Sequence, residues 1–396
     1  MRQVQSFDVI IAGGAMAGAT LALALTKLAS RPLSIAIVEP YPTDHHQHPG
    51  FDSRSIALAH GTVELLKAWS LWPSLQAFAT PITQIHVSDR SHLGMVNMSA
   101  SEVGLDALGY VVELADVGRQ YAEKIAACQT ITCFCPLSVE QVERTQQQVT
   151  VTLSDQQVIS GKLLVAADGA LSTSGQQIGL ALAEHDFEQV AVIANVRCSQ
   201  PHQGRAFERF TSSGPLALLP LSDDRLSLVW CLSPMQAEQM SQATEHEFLS
   251  QLQTAFGWRL GRFLQVGKRG HYPLRLRHRP QSIAHRFVSI GNAAQTLHPI
   301  AGQGFNLGIR DIASLAEVLT DGDPALLGDY AQLSTYRQRR EADRQATIQL
   351  TSSLVHLFSN DWLTLRVARN LGLVAMENLP LLKAPLLHRT LGVVNR

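Results

Sequence analysis

Residues 7–29 read FDVIIAGGAMAGATLALALTKLA, and how this stretch divides into elements decides the fold. Positions 9–26 carry no charge. That length touches the minimum for a bilayer-crossing helix, and Arg2 precedes it as in a secretory signal. Both readings fail on the same residues. Asp8 abuts the run, Val9 to Ile11 favour a strand, and Gly13, Gly14 and Gly18 punctuate the remainder. The stretch reads as a buried strand, a tight turn and a helix of Ala and Leu. SIAIVEP (34–40) then supplies a second strand that ends in Glu39.

Strand, helix and strand in this order make a βαβ unit. In the dinucleotide fingerprint G-x-G-x-x-G the first Gly makes the turn, the second admits a pyrophosphate, and the third lets helix and strand pack closely. Gly13 and Gly18 fill the first and third places, Ala15 stands in the second, and Gly14 beside it keeps the turn pliable. Glu39 lies where an acidic residue binds the adenosine ribose. The competing reading is an ordinary α/β turn with no ligand. The motif alone does not separate NAD from FAD.

A second Gly-rich stretch, GNAAQTLHPIAGQGFNLG (291–308), lies far downstream. It reads as a strand ending at Gly291, a loop, and a helix beginning near Phe305. No second βαβ fingerprint accompanies it, so it does not announce a separate NAD(P) domain. A helix N-terminus offers free N–H groups and about half a positive charge, which suits an edge that turns anionic, such as the pyrimidine edge of a flavin. The two loops then hold the two ends of one extended FAD.

Composition sets the outer bounds. The chain has 396 residues, 45% of them hydrophobic and 16% charged, with a formal net charge of −1. No basic footprint for nucleic acid is present. Five cysteines without a secretory signal argue against a disulfide framework. Cys128, Cys133 and Cys135 lack a fourth ligand at a metal-site spacing. The His-rich turn DHHQHPG (44–50) reads as a solvated loop, so no metal is expected.

The chain resembles the FAD-dependent aromatic hydroxylases of the p-hydroxybenzoate hydroxylase fold. GGAMAG, LLVAADGALS (163–172) and GNAAQTLHPIAGQGFNLG carry the likeness in family order. HPIAGQGFNLG resembles the signature of the ubiquinone-biosynthesis hydroxylases. FDSRSIALA (51–59), GRAFERF (204–210), GPLALLPL (214–221) and SLVHLF (353–358) are similar to the 2-polyprenyl-6-methoxyphenol hydroxylase branch.

The resemblance implies a polyprenylated phenol substrate, O2, NAD(P)H as electron donor, and a flavin hydroperoxide as the oxygenating species. It implies cofactor contacts by Gly13, Gly14, Ala15, Gly18, Glu39, Arg54, Arg119, Asp168, Gly291, Asn292, Gly302, Gly304, Phe305 and Asn306. Pro299 is expected over the ring face, with His298 beside it. Other quinone-biosynthesis enzymes, a homo-oligomer and peripheral contact with the inner membrane by a cytoplasmic protein are further expectations. The rival readings are a flavin-dependent reductase or epoxidase of prenyl chains, and a non-catalytic FAD-stabilised subunit. Three positions depart from the family pattern: Asn292 replaces an Asp, Gln295 a His, and Gly175 stands where an Arg is usual.

The expected fold is mixed α/β, a Rossmann-like FAD domain with an inserted antiparallel substrate sheet and C-terminal helices. The FAD domain takes 1–80, 101–180 and 285–345. Substrate strands take 81–100 and 181–284, with a helical stretch at 235–256. Residues 346–396 are helical. QATIQLTSSLVHLFSN (345–360) has no Asp, Glu, Lys or Arg and reads as a buried helix, or as a face for a lipid-tailed substrate.

Overall fold

The opening strand Gln5–Ala12 is the centre of the first sheet, because Val9, Ile10 and Ile11 are buried on both faces. The computed structural model describes residues 4–42, 54–90, 94–358 and 362–393; the His-rich turn at 44–50 lies outside them. The strand order is Ile283–Ala284, Phe287–Ser289, Val158–Ala166, Gln5–Ala12, Ile35–Val38, Ile131–Phe134. The opening strand pairs in parallel with 158–166 on one side and with 35–38 on the other. Parallel strands buried on both faces need continuous apolar runs, which is what VIIA and IAIV supply; helices cover one face, and strands Val139–Arg144 and Val149–Leu153 pack on the other. The uncharged run at 9–26 is therefore split between this strand and the helix Met16–Leu28. Among the described residues, no helix is long and apolar enough to cross a membrane.

The second sheet has nine strands. Its strands at 183–198, 205–211, 214–220, 225–232 and 270–278 pair antiparallel, as expected. The exception is Gln84–Asp89, which pairs in parallel with Arg205–Thr211. Helices Pro234–Gln242 and Glu245–Phe256 cover one face. Each begins with a capping box, Ser233 with Gln236 and Thr244 with Glu247, which satisfies two N–H donors at each start. Phe207 packs into the core under these helices, whereas Phe210 joins the core on the opposite face. Strand alternation therefore turns Glu208 to the same side as Phe210, away from the helices.

A helix of 29 residues, Tyr330–Phe358, lies beyond the downstream Gly loop. The expected boundary at 345/346 falls inside it. The reason is electrostatic: Asp343 bonds Arg310 at 2.8 Å, and Arg340 bonds Asp311 at 2.9 Å, all buried. A buried charge without its partner costs several kcal/mol, so these pairs hold the helix middle to helix Gln303–Asp321. Helices Leu363–Asn378 and Pro380–Thr390 complete the fold.

Candidate active site

Each glycine of the first loop has a steric reason. A Cβ on Gly13 would stand 2.5 Å from the Ala167 carbonyl oxygen, and one on Gly18 would stand 1.9 Å from the Gly13 carbonyl oxygen. Gly13 also has φ +98°, a region that side chains disfavour. Ala15 is the N-cap of helix 16–28, with no side-chain cap and no acid in the first turn. That helix end presents N–H groups and positive dipole to the loop. Glu39, buried at the end of the second strand, accepts the Gly14 N–H at 2.6 Å and the Tyr41 N–H at 3.0 Å. The structure thus brings Gly13, Gly14, Ala15, Gly18 and Glu39 together.

The downstream loop meets the first one directly. Gly291 has φ +54°, and a Cβ there would lie 3.0 Å from the Ala17 Cβ. Gly308 packs over it from helix 303–321. Asn292 stands exposed beside this contact. Past Pro299, Ala301 (φ 56°) and Gly302 (φ 60°) are both left-handed and turn the chain sharply into the helix. The helix therefore starts at Gln303, two residues before the expected Phe305. Gly302 N–H bonds the Pro299 carbonyl. The N–H groups of Gln303, Gly304 and Phe305 precede any helical acceptor. Around Gly304 a Cβ would meet nothing within 4 Å. Asn306 is one residue too deep to offer a free N–H. Its side chain is consumed inside the protein, accepting from Ala59 N–H and Thr62 Oγ1–H and donating to the Ala57 and Gly302 carbonyls.

Asp168 accepts the Ser174 N–H at 3.0 Å through one oxygen; the other is buried without a partner. A guanidinium does stand by this motif, from the residue that follows the distant strand Gly270–His278. A Cβ on Gly175 would lie 2.7 Å from Arg279 Cζ. Arg279 is 0% exposed. It donates to the carbonyls of Ser172 (3.3 Å), Leu180 (2.5 Å) and Ala293 (3.1 Å), bridging the middle motif to the downstream loop. Arg54 precedes strand Ser55–Ala59, and its carbonyl accepts the Leu114 N–H. Arg119 is on helix Leu114–Ala126, which packs on helix 16–28, but its side chain is exposed, paired with Asp116 and set 5.6 Å from the Phe78 ring centroid. Its side-chain partners, Asp116 and Phe78, belong to neither Gly-rich loop.

His298 does not offer a base. It is buried, its Nδ1 accepts the Ile300 N–H, and its Nε2–H donates to Gln189 Oε1 at 3.0 Å. The bonding fixes a neutral imidazole, and burial pulls it down to about 4. Gln295, in the usual His place, is buried and donates to Asp311 at 2.6 Å. Among the described residues no group of three His, Cys, Asp or Glu side chains could hold a metal ion.

Next to the downstream loop is a cavity of about 450 Å³, lined almost wholly by apolar side chains. Ile300, Ala301 and Gln303 form one wall, Glu208 and Phe210 of the large sheet another, and the last three helices close it. Neither Glu208 nor Arg279 stands out in the sequence. An acid on a strand shows its period but not which face meets a cavity, and nothing local links position 279 to position 175.

This arrangement has close counterparts. Residues 6–351 match a family model described as an FAD binding domain. The chain belongs to this family of FAD-dependent monooxygenases. It is 32% identical to the ubiquinone hydroxylase UbiL of Rhodospirillum rubrum, covering 98% of this chain and 90% of that one. It is also 32% identical to the 3-demethoxyubiquinol 3-hydroxylase of Escherichia coli, covering 98% and 99%. In fold it matches the p-nitrophenol 4-monooxygenase PnpA of Pseudomonas putida, with TM-score 0.80 at 18% identity over 98% of this chain and 99% of that one. The protein is thus an aromatic-ring hydroxylase that uses FAD. Its residues suit the cofactor: an uncapped helix end beside Glu39, an unpartnered Asp168 oxygen, and a helix start at 303–305 with open space beside Gly304.

Proposed function

We propose that the chain hydroxylates the ring of 2-polyprenyl-6-methoxyphenol to the benzoquinol in ubiquinone biosynthesis, using NAD(P)H and O2. The cavity supports this reading: it is apolar enough for a prenylated ring and ends on the loop that carries Pro299 and the helix start. Bound FAD supplies the electron transfer from NAD(P)H and the activation of O2. The first loop and Glu39 hold the adenosine diphosphate end. Gly291, Asn292 and the N–H groups of 303–305 hold the ribityl and pyrimidine end, with Asp168 and Arg54 between. Pro299 walls the ring face. The apolar lining excludes water, which protects the oxygenating step from wasteful side reactions. His298 anchors the loop through Gln189 and Ile300.

The tail finds its place among the last helices. Helix 363–378 turns Leu373 and Met376 to the cavity, while Val367, Leu371 and Val374 stand exposed at i, i+4 and i+7. With Leu381 89% exposed nearby, this outer face suits peripheral contact with the membrane that stores the prenylated substrate. Flotation with phospholipid vesicles tests it, and protein that stays at the bottom of the gradient refutes it.

The deciding assay is NAD(P)H oxidation by purified protein with 2-polyprenyl-6-methoxyphenol, coupled to mass spectrometry. The expected product gains one oxygen on the ring and requires O2. A demethoxyubiquinol run in parallel distinguishes the ring position. Chain reduction without O2, an epoxide on the tail, or no turnover with either phenol would each replace the reading.

A further inference from the structure

Hydroxylation of a phenol needs an electron-rich carbon, and deprotonating the hydroxyl is the strongest way to enrich the carbon para to it. Glu208 sits at mid-strand in Arg205–Thr211, on the cavity face with Phe210. Its cross-strand neighbours are Ala217 and Val87, which offer no polar group. Among the described residues its carboxylate has no hydrogen-bond or ion-pair partner. An unpaired carboxyl in an apolar cavity costs stability, and such groups concentrate where chemistry is done.

The other ionisable groups nearby are occupied or inert. Arg369, on the cavity wall, bonds Asp89 at 2.9 Å. His298 has both nitrogens engaged. The Cys231 thiol is buried, and burial, with Glu208 adding to it, pushes it well above its usual range. No base on the cofactor loop competes.

We propose that Glu208 accepts the proton of the substrate's phenolic hydroxyl and returns it to the hydroxylated product. The inference rests on the reading of the cavity as the phenol site. The phenol O–H bond breaks, its proton goes to a Glu208 oxygen, and its electron pair stays on the phenolate oxygen. One oxygen atom of O2 joins the para carbon, and the other leaves as water with the two electrons of NAD(P)H. The para hydrogen leaves as a proton when the ring regains aromaticity. The phenolate of the product then takes back the proton from Glu208. Burial pushes the Glu208 carboxyl up to about 8, which makes its ionised form a stronger base than an exposed Glu.

Glu208→Gln tests this, because the amide keeps the shape and cannot take a proton. FAD affinity, read by flavin fluorescence, should stay unchanged. Hydroxylation at neutral pH should fall by about 10²–10⁴-fold. A fluorinated, more acidic methoxyphenol should recover much of that loss. In the unsubstituted protein, the ultraviolet spectrum of bound methoxyphenol should shift to the red as Glu208 ionises, because the hydroxyl then donates its proton toward the carboxylate; Glu208→Gln should abolish that pH-dependent shift. A variant within about threefold of the parent rate, with the same pH profile, overturns the proposal. Should Glu208→Gln lose FAD, the parent titration decides alone: a bound-phenol spectrum that does not change with pH below the ionisation of the free phenol overturns it. A parent that binds the phenol and shows the red shift but does not hydroxylate it refutes the function while leaving the proton acceptor in place.

Discussion

Gly175→Ala should damage this protein far more than its surroundings suggest. A methyl at 175 would stand 2.7 Å from Arg279 Cζ and 2.8 Å from Nε and Nη2, closer than any real Cβ contact. The guanidinium has nowhere to retreat, since Arg279 is fully buried and spans three carbonyls. Shifting it breaks or lengthens two of those bonds. Each bond to a charged group contributes about 1.5–3 kcal/mol, and stranding a buried charge costs about 3–5 kcal/mol. We expect a loss of about 3–4 kcal/mol in urea unfolding, within those bounds. FAD affinity should drop with it, because Ser172 and Ala293 belong to two of the segments proposed above to hold the cofactor. Arg279→Ala alone should be comparably harmful. In the double variant Gly175→Arg, Arg279→Ala, the new guanidinium enters the vacated space from the motif side and should recover at least half of the loss in stability and FAD affinity. Strong coupling of this kind marks residues in contact. A Gly175→Ala protein within about 0.5 kcal/mol of the parent would refute the placement of Arg279, as would strictly additive effects in the double variant.

Glu39→Ala should weaken FAD binding by removing charge-assisted ribose bonds, each contributing about 1.5–3 kcal/mol at most, and equilibrium titration of the apoprotein reads it. Asn292→Asp should keep FAD bound and lower the flavin reduction potential, since two charges a few ångströms apart interact by about 1–4 kcal/mol in a partly dry site; Asn292→Leu should loosen FAD. His298 makes the protein acid-sensitive. Its folded value near 4 lies below the ordinary 6.5, so only the unfolded chain takes up the proton between those values. Stability should be unaffected above pH 6.5 and fall by about 3 kcal/mol as pH drops to 4. His298→Gln should flatten that part of the urea-midpoint profile.

The opening βαβ unit is legible because its signals are local. Gly13 and Gly18 mark a turn, VII marks a strand, and Glu39 comes at a fixed distance; the structure has strand, helix and strand in those places. The helix caps at Ser233 and Thr244 and the period-two strands at 189–198 and 225–232 are equally local, set by hydrogen bonds within four residues or by alternation along one strand. The helix start at Gln303 escapes a local reading because it depends on Ala301 adopting a left-handed conformation that an alanine does not advertise. His298 looks reactive in sequence, yet Gln189, more than a hundred positions away, determines where its proton sits.

Contacts between distant segments decided the rest. Periodicity says which residues share a face of a strand or helix, but not what that face meets. Only the packed structure sets Gly291 against Ala17, so that two loops far apart in the chain form one site. Only packing puts Arg279 in the room beside Gly175, and turns Glu208 to the cavity while Phe207 goes under the helices. The sequence by itself determined the opening βαβ unit, the two Gly-rich loops and the family resemblance, because each is written in runs of neighbouring residues. The tertiary structure alone decided which charges are buried, paired or left facing the cavity, because desolvation and Coulomb energy depend on neighbours that chain order does not reveal.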